Sequence, residues 1–576
     1  MCGIAGIISP NADKYLPEIK KMLGTLKYRG PDGNKVKTFE NCLLGHTRLS
    51  VVDLSTGDQP MRSSISNKTI VFNGEIYGYR DLKKSLNNYH FLTNSDTEVI
   101  LALYEKCGSL TPNHLPGMFS FAIYDPRDNS LFCARDRFGE KPFYYARGER
   151  GEFIFSSEIK AILASGLINP ILDKSSLSYY LKYLYVHPTR TIYKNIKVLP
   201  AGSSLSFKKG KIIVNRYWEI PSETNISELD AAHQFSNLFK EAVKEQLVAD
   251  VPVGILLSGG LDSTTITAIA SQYQKKVKTF SFGFKGLLNE LPYARAVAKK
   301  YGTDHYEYYE PEVKVADLLR QMQEIYDEPF ADSSNISTYL ISKLARKHCK
   351  VALGGDGGDE MLLGYDWYKP FAGPTLNKAA TWLRASFSRN ISKLHDSQNS
   401  YFTNEDIEEL GLPVVDGFNY FNLGIEKVNQ VQRIDTQNYL PGDILVKVDR
   451  ASMANSLEIR APFLNLKLAK FCLSLPSQLK LKNGESKFLL RKAMSEYWPK
   501  EIIKRPKQGF GAPVSNWLSR GDVVKLKKRI KGNKHHKIFS LLPKDPVLHY
   551  LDQLDYQGWI ILNTALWLET HNFRYE

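Results

Sequence analysis

The second residue of the chain is a cysteine, in Met1-Cys2-Gly3-Ile4-Ala5-Gly6-Ile7. Once Met1 is removed, Cys2 carries a thiol and a free α-amine on one residue. An α-amine titrates at roughly pH 8, close to the thiol, so it can serve as general base for its own side chain. Gly3 and the apolar run behind it set that terminus at the start of a strand, held rather than fraying. A lone cysteine is a weak motif, and its surroundings decide its meaning. A thiol attacking an amide needs donors for the oxyanion and anchors for the charged end of its substrate. Asn73 offers a side-chain N–H and Gly74 an unobstructed backbone N–H, the two donors required. Arg48, in Gly45-His46-Thr47-Arg48-Leu49-Ser50, suits a carboxylate gripped at both oxygens. Glu75 and Asp96 are candidates to hold an ammonium. Singly, each reads equally well as a turn residue or a surface charge.

A second group lies far downstream. Val253–Leu257 reads as a buried strand running into Ser258-Gly259-Gly260-Leu261-Asp262-Ser263, and Thr264–Tyr273 as a helix. A glycine-rich, hydroxyl-bearing turn at a helix N-terminus presents backbone N–H groups and a partial positive charge to a phosphate. No lysine and hydroxyl residue follow at P-loop spacing, so this is not a Walker A site. Another strand, Lys350–Leu353, runs into Gly354-Gly355-Asp356-Gly357-Gly358-Asp359-Glu360. Its glycines permit close backbone approach, and its three carboxylates supply hard oxygens for Mg²⁺ bridging phosphates. Ligands of open α/β sheets gather at the carboxyl ends of strands, where both loops fall.

Two textures of sequence must position these residues. Residues 1 to about 205 are β-rich, with short apolar or alternating runs at Gly3–Ser9, Thr69–Phe72, Phe119–Tyr124, Ser130–Ala134 and Phe153–Phe155, separated by Gly, Pro, Asn and Asp turns. Strand character persists over Leu205–Ile220, and Pro221–Ser227 is a polar break. From about Glu228, helical periods such as Ala231–Val248 alternate with short buried strands such as Thr279–Gly283, which implies a parallel sheet covered on both faces. Beyond about Tyr401 the pattern is mostly helical. The expected organisation is two domains, residues 1–215 and 228–576.

Cys2-Gly3-Ile4, Arg29-Gly30-Pro31-Asp32, Gly45-His46-Thr47-Arg48-Leu49, Asn73-Gly74-Glu75 and Ser95-Asp96-Thr97-Glu98, in that order, resemble the class II glutamine amidotransferase domain. That resemblance implies an N-terminal-nucleophile αββα sandwich that hydrolyses glutamine to glutamate and ammonia. It implies Cys2 as nucleophile, Asn73 and Gly74 as oxyanion hole, and glutamine bound by Arg48, Leu49, Ser50, Val51, Val52, Asn73, Gly74, Glu75 and Asp96. The Ser-Gly-Gly-x-Asp-Ser string resembles the pyrophosphate-binding loop of AMP-forming ligases. With Asp449-Arg450-Ala451-Ser452-Met453, Arg460-Ala461-Pro462-Phe463-Leu464 and Lys487, it is similar to the synthetase domain of the asparagine synthetase family. The implied fold is a parallel-sheet α/β ATP-pyrophosphatase-type domain with a helical C-terminal part, so the chain combines α+β and α/β classes.

By that resemblance Leu257, Phe282, Gly354 and Gly355 contact ATP, and Ser258, Gly259, Gly260, Asp262 and Ser263 hold the pyrophosphate. Asp262 and Asp359 bind Mg²⁺, Asp356 governs activation of the acceptor carboxylate, and Lys487 stabilises developing charge. ATP, glutamine and aspartate are the implied small molecules, an internal ammonia tunnel joins the sites, and homodimers are common in the family. Two features depart from its usual pattern. Asp356 stands where glutamate is usual, and Glu328 and Asp332, in Tyr326–Ser334, stand where the best-known aspartate-using enzymes carry threonines and an arginine. The same chemistry on another carboxylate, a surface-polysaccharide sugar acid or a secondary metabolite, is therefore an open alternative. A non-catalytic or nucleic-acid-binding protein on these folds is a more distant one.

Composition narrows the classes. Hydrophobic residues make up 43% and charged residues 24% of 576, without a low-complexity tract. No run approaches eighteen apolar residues and no basic-then-apolar leader opens the chain, so a cytoplasmic, non-membrane protein is expected. The six cysteines include no pair at two-residue spacing, which argues against zinc or a redox dithiol. The formal charge is +15, much of it in Lys525, Lys527, Lys528, Arg529, Lys531, Lys534 and Lys537. No nucleic-acid motif accompanies that stretch, so it reads as a solvated helical surface.

Overall fold

In a computed structural model, residues 1–283, 289–309, 314–372, 391–417, 426–505 and 511–574 are described. The N-terminal strands are Gly3–Ile8 (β1), Gly33–Phe39 (β2), Cys42–Arg48 (β3), Met61–Arg62 (β4), Thr69–Ile76 (β5), Gly117–Asp125 (β6), Ser130–Arg135 (β7), Tyr144–Arg147 (β8), Phe153–Ser156 (β9), Ile196–Val198 (β10), Ser203–Lys208 (β11) and Lys211–Arg216 (β12). They form two six-stranded antiparallel sheets, ordered β10-β8-β9-β1-β3-β2 and β12-β11-β7-β6-β5-β4. The period of two along β1 builds the layers. Ile4 and Ile8 enter the core between the sheets with Val71, Ala122 and Phe155, whereas Ala5 and Ile7 meet Ile19 and Met22 of the helix Leu16–Leu26. On the second sheet, Phe72, Phe119 and Phe121 face Val99 and Leu103 of the helix Asp96–Cys107. The result is the expected αββα sandwich.

The helix Glu228–Gln246 then leads into a five-stranded parallel sheet. Its strands are Val253–Leu256 (β13), Lys278–Gly283 (β14), Asp304–Tyr309 (β15), Val351–Leu353 (β16) and Glu458–Arg460 (β17), in the order β15-β14-β13-β16-β17. The neighbours of β13 lie to opposite sides, β14 on one and β16 on the other, so its carboxyl end is a topological switch point. The helix after β13 starts at Leu261 rather than Thr264, which puts Asp262 and Ser263 in its first turn. Two strands of this sheet escaped the sequence reading. β15 is only half-buried and polar, and β17 lies in a stretch that reads as helix and loop charges.

Buried charge joins the two halves. Arg29, wholly buried, meets Glu158 at 2.7 Å and Asp449 at 2.8 and 2.9 Å, and donates to the Cys2 carbonyl at 3.2 Å. Arg450 meets the same Glu158 at 2.7 Å and Asp327 at 3.3 Å. Removing one member of such a group strands an uncompensated buried charge. Arg29→Ala is expected to lower unfolding stability by about 3–5 kcal/mol, read as the urea midpoint; an unchanged midpoint would show that the network bears no load. The basic C-terminal stretch forms the helix Gly521–Gly532, where Arg529 pairs with Glu569 and Lys531 with Asp552, at 2.6 and 2.7 Å. No helix among the described residues is long and apolar enough to cross a membrane.

Candidate active sites

Cys2 immediately precedes β1, half-buried, and its backbone N–H donates to Asn73 Oδ1 at 3.0 Å. That bond fixes the amide of Asn73, whose Nδ2 is buried without a hydrogen-bond partner among the described residues. A buried unmatched donor is costly, and beside a nucleophile it has the character of an oxyanion donor. Asn73, Gly74 and Glu75 are strand residues, because β5 continues to Ile76. At Gly74 an added Cβ would lie 2.1 Å from the Met118 carbonyl, so only glycine permits this pairing with β6. Burial raises the Cys2 thiol, while the N-terminal ammonium, the Leu49 backbone N–H and Arg48 pull it back. A thiol held protonated needs a base, which the α-amine supplies after Met1 is removed.

The expected anchors are placed unequally. Asp96 accepts from Ile76 N at 3.0 Å, and burial pushes its carboxyl up to about 6. Leu49 and Val51 are buried, Ser50 N donates to Asp32 at 2.8 Å, and Val51 O accepts from Asp250 N at 2.9 Å. Arg48 is committed to its own turn: it meets Asp58 at 2.8 Å and the carbonyls of Val52, Asp53 and Leu54. Glu75 is buried 3.2 Å from Arg460 of the second half, and burial holds it well above the ordinary carboxylate range.

At the carboxyl ends of the parallel strands lies a cavity of about 810 Å³. Leu257, Ser258, Gly259, Gly260, Asp262 and Ser263 line it, with Phe282, Gly354, Gly355, Asp356, Asp359 and Lys487. The first loop is tied by its own hydroxyls: Ser258 and Ser263 Oγ lie 3.1 Å apart, and Gly260 N donates to Ser258 Oγ at 3.2 Å. The second loop presses on the first. An added Cβ at Gly358 would stand 2.8 Å from the Asp262 carboxylate carbon, so that loop needs glycine to admit Asp262. Lys487 bridges the two expected metal ligands, 2.5 Å from Asp262 and 2.8 Å from Asp359. Its ammonium occupies a seat between two carboxylates, kept charged by them against its burial. Its backbone is left-handed at φ 56°, a conformation that marks a constrained position. The seat suits a cation, and Mg²⁺, which retains waters and phosphate oxygens, fits a two-carboxylate donor set.

Also lining the cavity, Lys447 meets Asp332 at 2.8 Å, and Asp443 Oδ1 is buried without a hydrogen-bond partner among the described residues. Burial followed by Asp332 holds the Asp443 carboxyl well above its usual range. Glu328 departs from its expected place. It is buried, accepts from Ile192 N at 2.6 Å and lies off this cavity, so it tunes a turn rather than an acceptor. Arg505 escaped the sequence reading: it donates to Ser258 O at 3.0 Å, pairs with Glu290 at 2.5 Å and lines the cavity. An isolated Lys504-Arg505 offers no motif. Arg29 and Asp449, by contrast, stood in recognisable strings whose purpose was hidden by 420 residues of separation.

Comparison with known proteins matches the same two regions. The family model described as "Asparagine synthase" covers residues 234–569, and that described as "Glutamine amidotransferase domain" covers residues 1–218. "Asparagine synthetase [glutamine-hydrolyzing] 1" of Bacillus subtilis (strain 168) is 33% identical over 561 residues, spanning 90% of this chain and 88% of that protein. "Asparagine synthetase [glutamine-hydrolyzing] 3" of the same organism is 32% identical, spanning 96% of this chain and 93% of that protein. A "Putative asparagine synthetase [glutamine-hydrolyzing] 2" of Methanocaldococcus jannaschii is 36% identical, spanning 80% of this chain and all of that protein.

Proposed function

This chain belongs to the asparagine synthase family, with a glutamine amidotransferase domain at its N-terminal end, and from that premise we propose how its two sites divide the work. The protein is a glutamine-hydrolysing, ATP-dependent asparagine synthetase. We assign glutamine hydrolysis to residues 1–215 and ligation to residues 228–576. The observation that carries the first half is Asn73, whose Oδ1 fixes Cys2 while Nδ2 is buried and unmatched among the described residues. The Cys2 α-amine takes the thiol proton, and sulfur attacks the side-chain amide carbon of glutamine. Asn73 Nδ2 and Gly74 N hold the oxyanion, the C–N bond breaks, and ammonia departs with the proton from the α-ammonium. Water then releases glutamate from the thioester.

Asp96 takes the α-ammonium of glutamine, and Arg48, released from Asp58, takes the α-carboxylate. The carboxyl of Asp96 stands at about 6, so below that pH it gains a proton and loses its hold on a cation. In a Cys2→Ala protein, glutamine binding is expected to weaken about ten-fold per pH unit below 6. Titration calorimetry checks this; the same slope in Asp96→Asn would assign it elsewhere.

In the large cavity Ser258, Gly259, Gly260 and Ser263 cradle the departing pyrophosphate, and Leu257, Phe282, Gly354 and Gly355 border the nucleotide. Lys487 and Arg505 bring positive charge to the same end. Mg²⁺, held by Asp262 and Asp359 when bound, supplies charge neutralisation for the phosphates. Aspartate is the acceptor that the deep end fits best. Lys447 matches its α-carboxylate, Asp332 and Asp443 match its ammonium, and Asp356 borders the carboxylate to be activated. Its shorter side chain folds over Gly354, where an added Cβ would stand 2.5 Å from Asp356 Oδ2. A second reading, a sugar acid, draws on Tyr185, Tyr365, Trp367, Tyr401, Tyr439 and Tyr556, a wall on which a sugar ring can stack.

With ammonia, ATP and Mg²⁺ supplied, AMP formation is measured against a panel of carboxylic acids. AMP is expected with aspartate and not with uronic acids; the reverse overturns aspartate as acceptor.

A further inference from the structure

Outside the lining of the ligation cavity, a lysine is buried that neither reaction has used. Lys480 is 0% exposed, and its side-chain nitrogen donates to two uncharged acceptors, Gln432 Oε1 at 2.6 Å and Cys472 O at 3.3 Å. Burial pulls it down to about 7, against Cys472 and Glu223 and with Arg433. Charged or neutral, it keeps an N–H to give. Gln432, also buried, sits on the helix Lys427–Gln437 and directs its Nε2 to two carbonyls, Glu360 O at 2.8 Å and Met361 O at 2.9 Å. Those carbonyls close the helix Gly358–Met361, which carries Asp359 in its first turn. A single turn is too short to stand alone, and its last carbonyls have no partner within it. Gln432 supplies that partner.

Lys480 decides which way the Gln432 amide faces. With Oε1 on the lysine, Nε2 meets the two carbonyls. Turned over, the amide would set its N–H groups against the lysine and its oxygen against both carbonyls. The backbone of Lys480 is tied to the opposite side of the same contact. Its carbonyl accepts from Phe488 N at 2.9 Å, closing the hairpin of Leu481–Lys482 and Glu485–Ser486, whose exit is Lys487. Lys487 in turn reaches Asp359 at 2.8 Å. We propose that Lys480 is a positioning residue of the ligation site, holding the Asp359 turn through Gln432 and the Lys487 turn through its own backbone, so that the two meet in register for Mg²⁺ and ATP. This rests on the ATP-dependent ligation reading above. A partner one layer behind a ligand fixes that ligand's direction, and its loss costs about 10–100-fold in metal affinity or activity.

The test is Mg·ATP binding to the full-length protein by titration calorimetry, without an acceptor, beside the rate of AMP formation with aspartate and free ammonia. In Lys480→Met, binding is expected to weaken about ten-fold and AMP formation to fall at least as far, while glutamate release persists and reports a folded protein. Gln432→Met is expected to match it, and the double variant to be no worse than either, because the two side chains form one chain of contacts. A purely structural lysine would lower the urea midpoint and leave Mg·ATP affinity unaltered; that result, or losses that multiply in the double variant, overturns the proposal. If Lys480→Met releases no glutamate and is therefore misfolded, Gln432→Met alone is read the same way: weakened binding supports the relay and unaltered binding removes it. Should the unmodified protein bind Mg·ATP and form no AMP with aspartate, the acceptor reading falls, and the binding comparison still decides the role of Lys480.

Discussion

Cys2→Ala is expected to abolish glutamate release from glutamine, by at least about a thousand-fold, while amide synthesis from free ammonia continues. The size follows from what the residue supplies. Nucleophile and base reside on the same amino acid, so one substitution removes the attacking sulfur and leaves the α-amine with no proton to take. The donors proposed for the oxyanion, Asn73 and Gly74, would remain, but the charge they are assigned to stabilise no longer forms. The separation of the two activities follows from the architecture, since the pyrophosphate loop lies at the end of a different sheet. Glutamate measured by a coupled dehydrogenase and AMP measured with ammonium give the two rates independently. Glutamate release within ten-fold of the unmodified enzyme would remove Cys2 from the mechanism.

Lys487→Ala is the complementary case. AMP formation is expected to fall about 10²–10³-fold with either nitrogen source, while glutamate release persists. Lys487 stands 2.5 Å from Asp262 and 2.8 Å from Asp359, in a cavity edge where it is itself buried. Its loss takes away a cation facing the phosphates and leaves two carboxylates repelling each other across the loop junction. Extra Mg²⁺ would then offset part of the second effect and none of the first. An AMP rate that falls less than about five-fold would mean that Lys487 organises the loops without touching the reaction.

The sandwich and the parallel sheet were legible because their signals are local. The alternation along Gly3–Ile8 assigns Ile4 and Ile8 to one layer and Ala5 and Ile7 to another without reference to distant residues. The loop Ser258–Ser263 was legible for the same reason: a strand-to-helix turn is a short piece of backbone, and its hydroxyls and glycines are contiguous. Element boundaries were less secure. The strand Thr69–Ile76 runs through Asn73–Glu75, and the helix after β13 starts at Leu261, because pairing with Gly117–Asp125 and the seating of Asp262 override local propensity.

Charged side chains mark the limit of that legibility. Arg48 looks free to bind a carboxylate, yet in the folded chain it already meets Asp58 and three carbonyls of its own turn, partners the sequence does not reveal. Glu75 reads as a candidate glutamine contact and Glu328 as a departure beside the acceptor, and each has a long-range partner that the sequence does not reveal, Arg460 in one case and Ile192 N in the other. A charge taken from water must find an opposite charge or a hydrogen-bond donor, and only the folded chain determines which is within reach.

The sequence by itself carried the family's strings: a cysteine at position 2, Asn73-Gly74 to which the oxyanion is assigned in the proposed mechanism, and two glycine-rich loops at strand ends. Those strings are short and contiguous, where residue type and spacing suffice. The tertiary structure alone decided how the parts are joined. It placed Arg29 against Glu158 and Asp449, set Lys487 between Asp262 and Asp359, and set Glu458 beside the first residue of the chain. These pairings span hundreds of residues and are fixed by burial, which makes an unpaired charge too costly to keep.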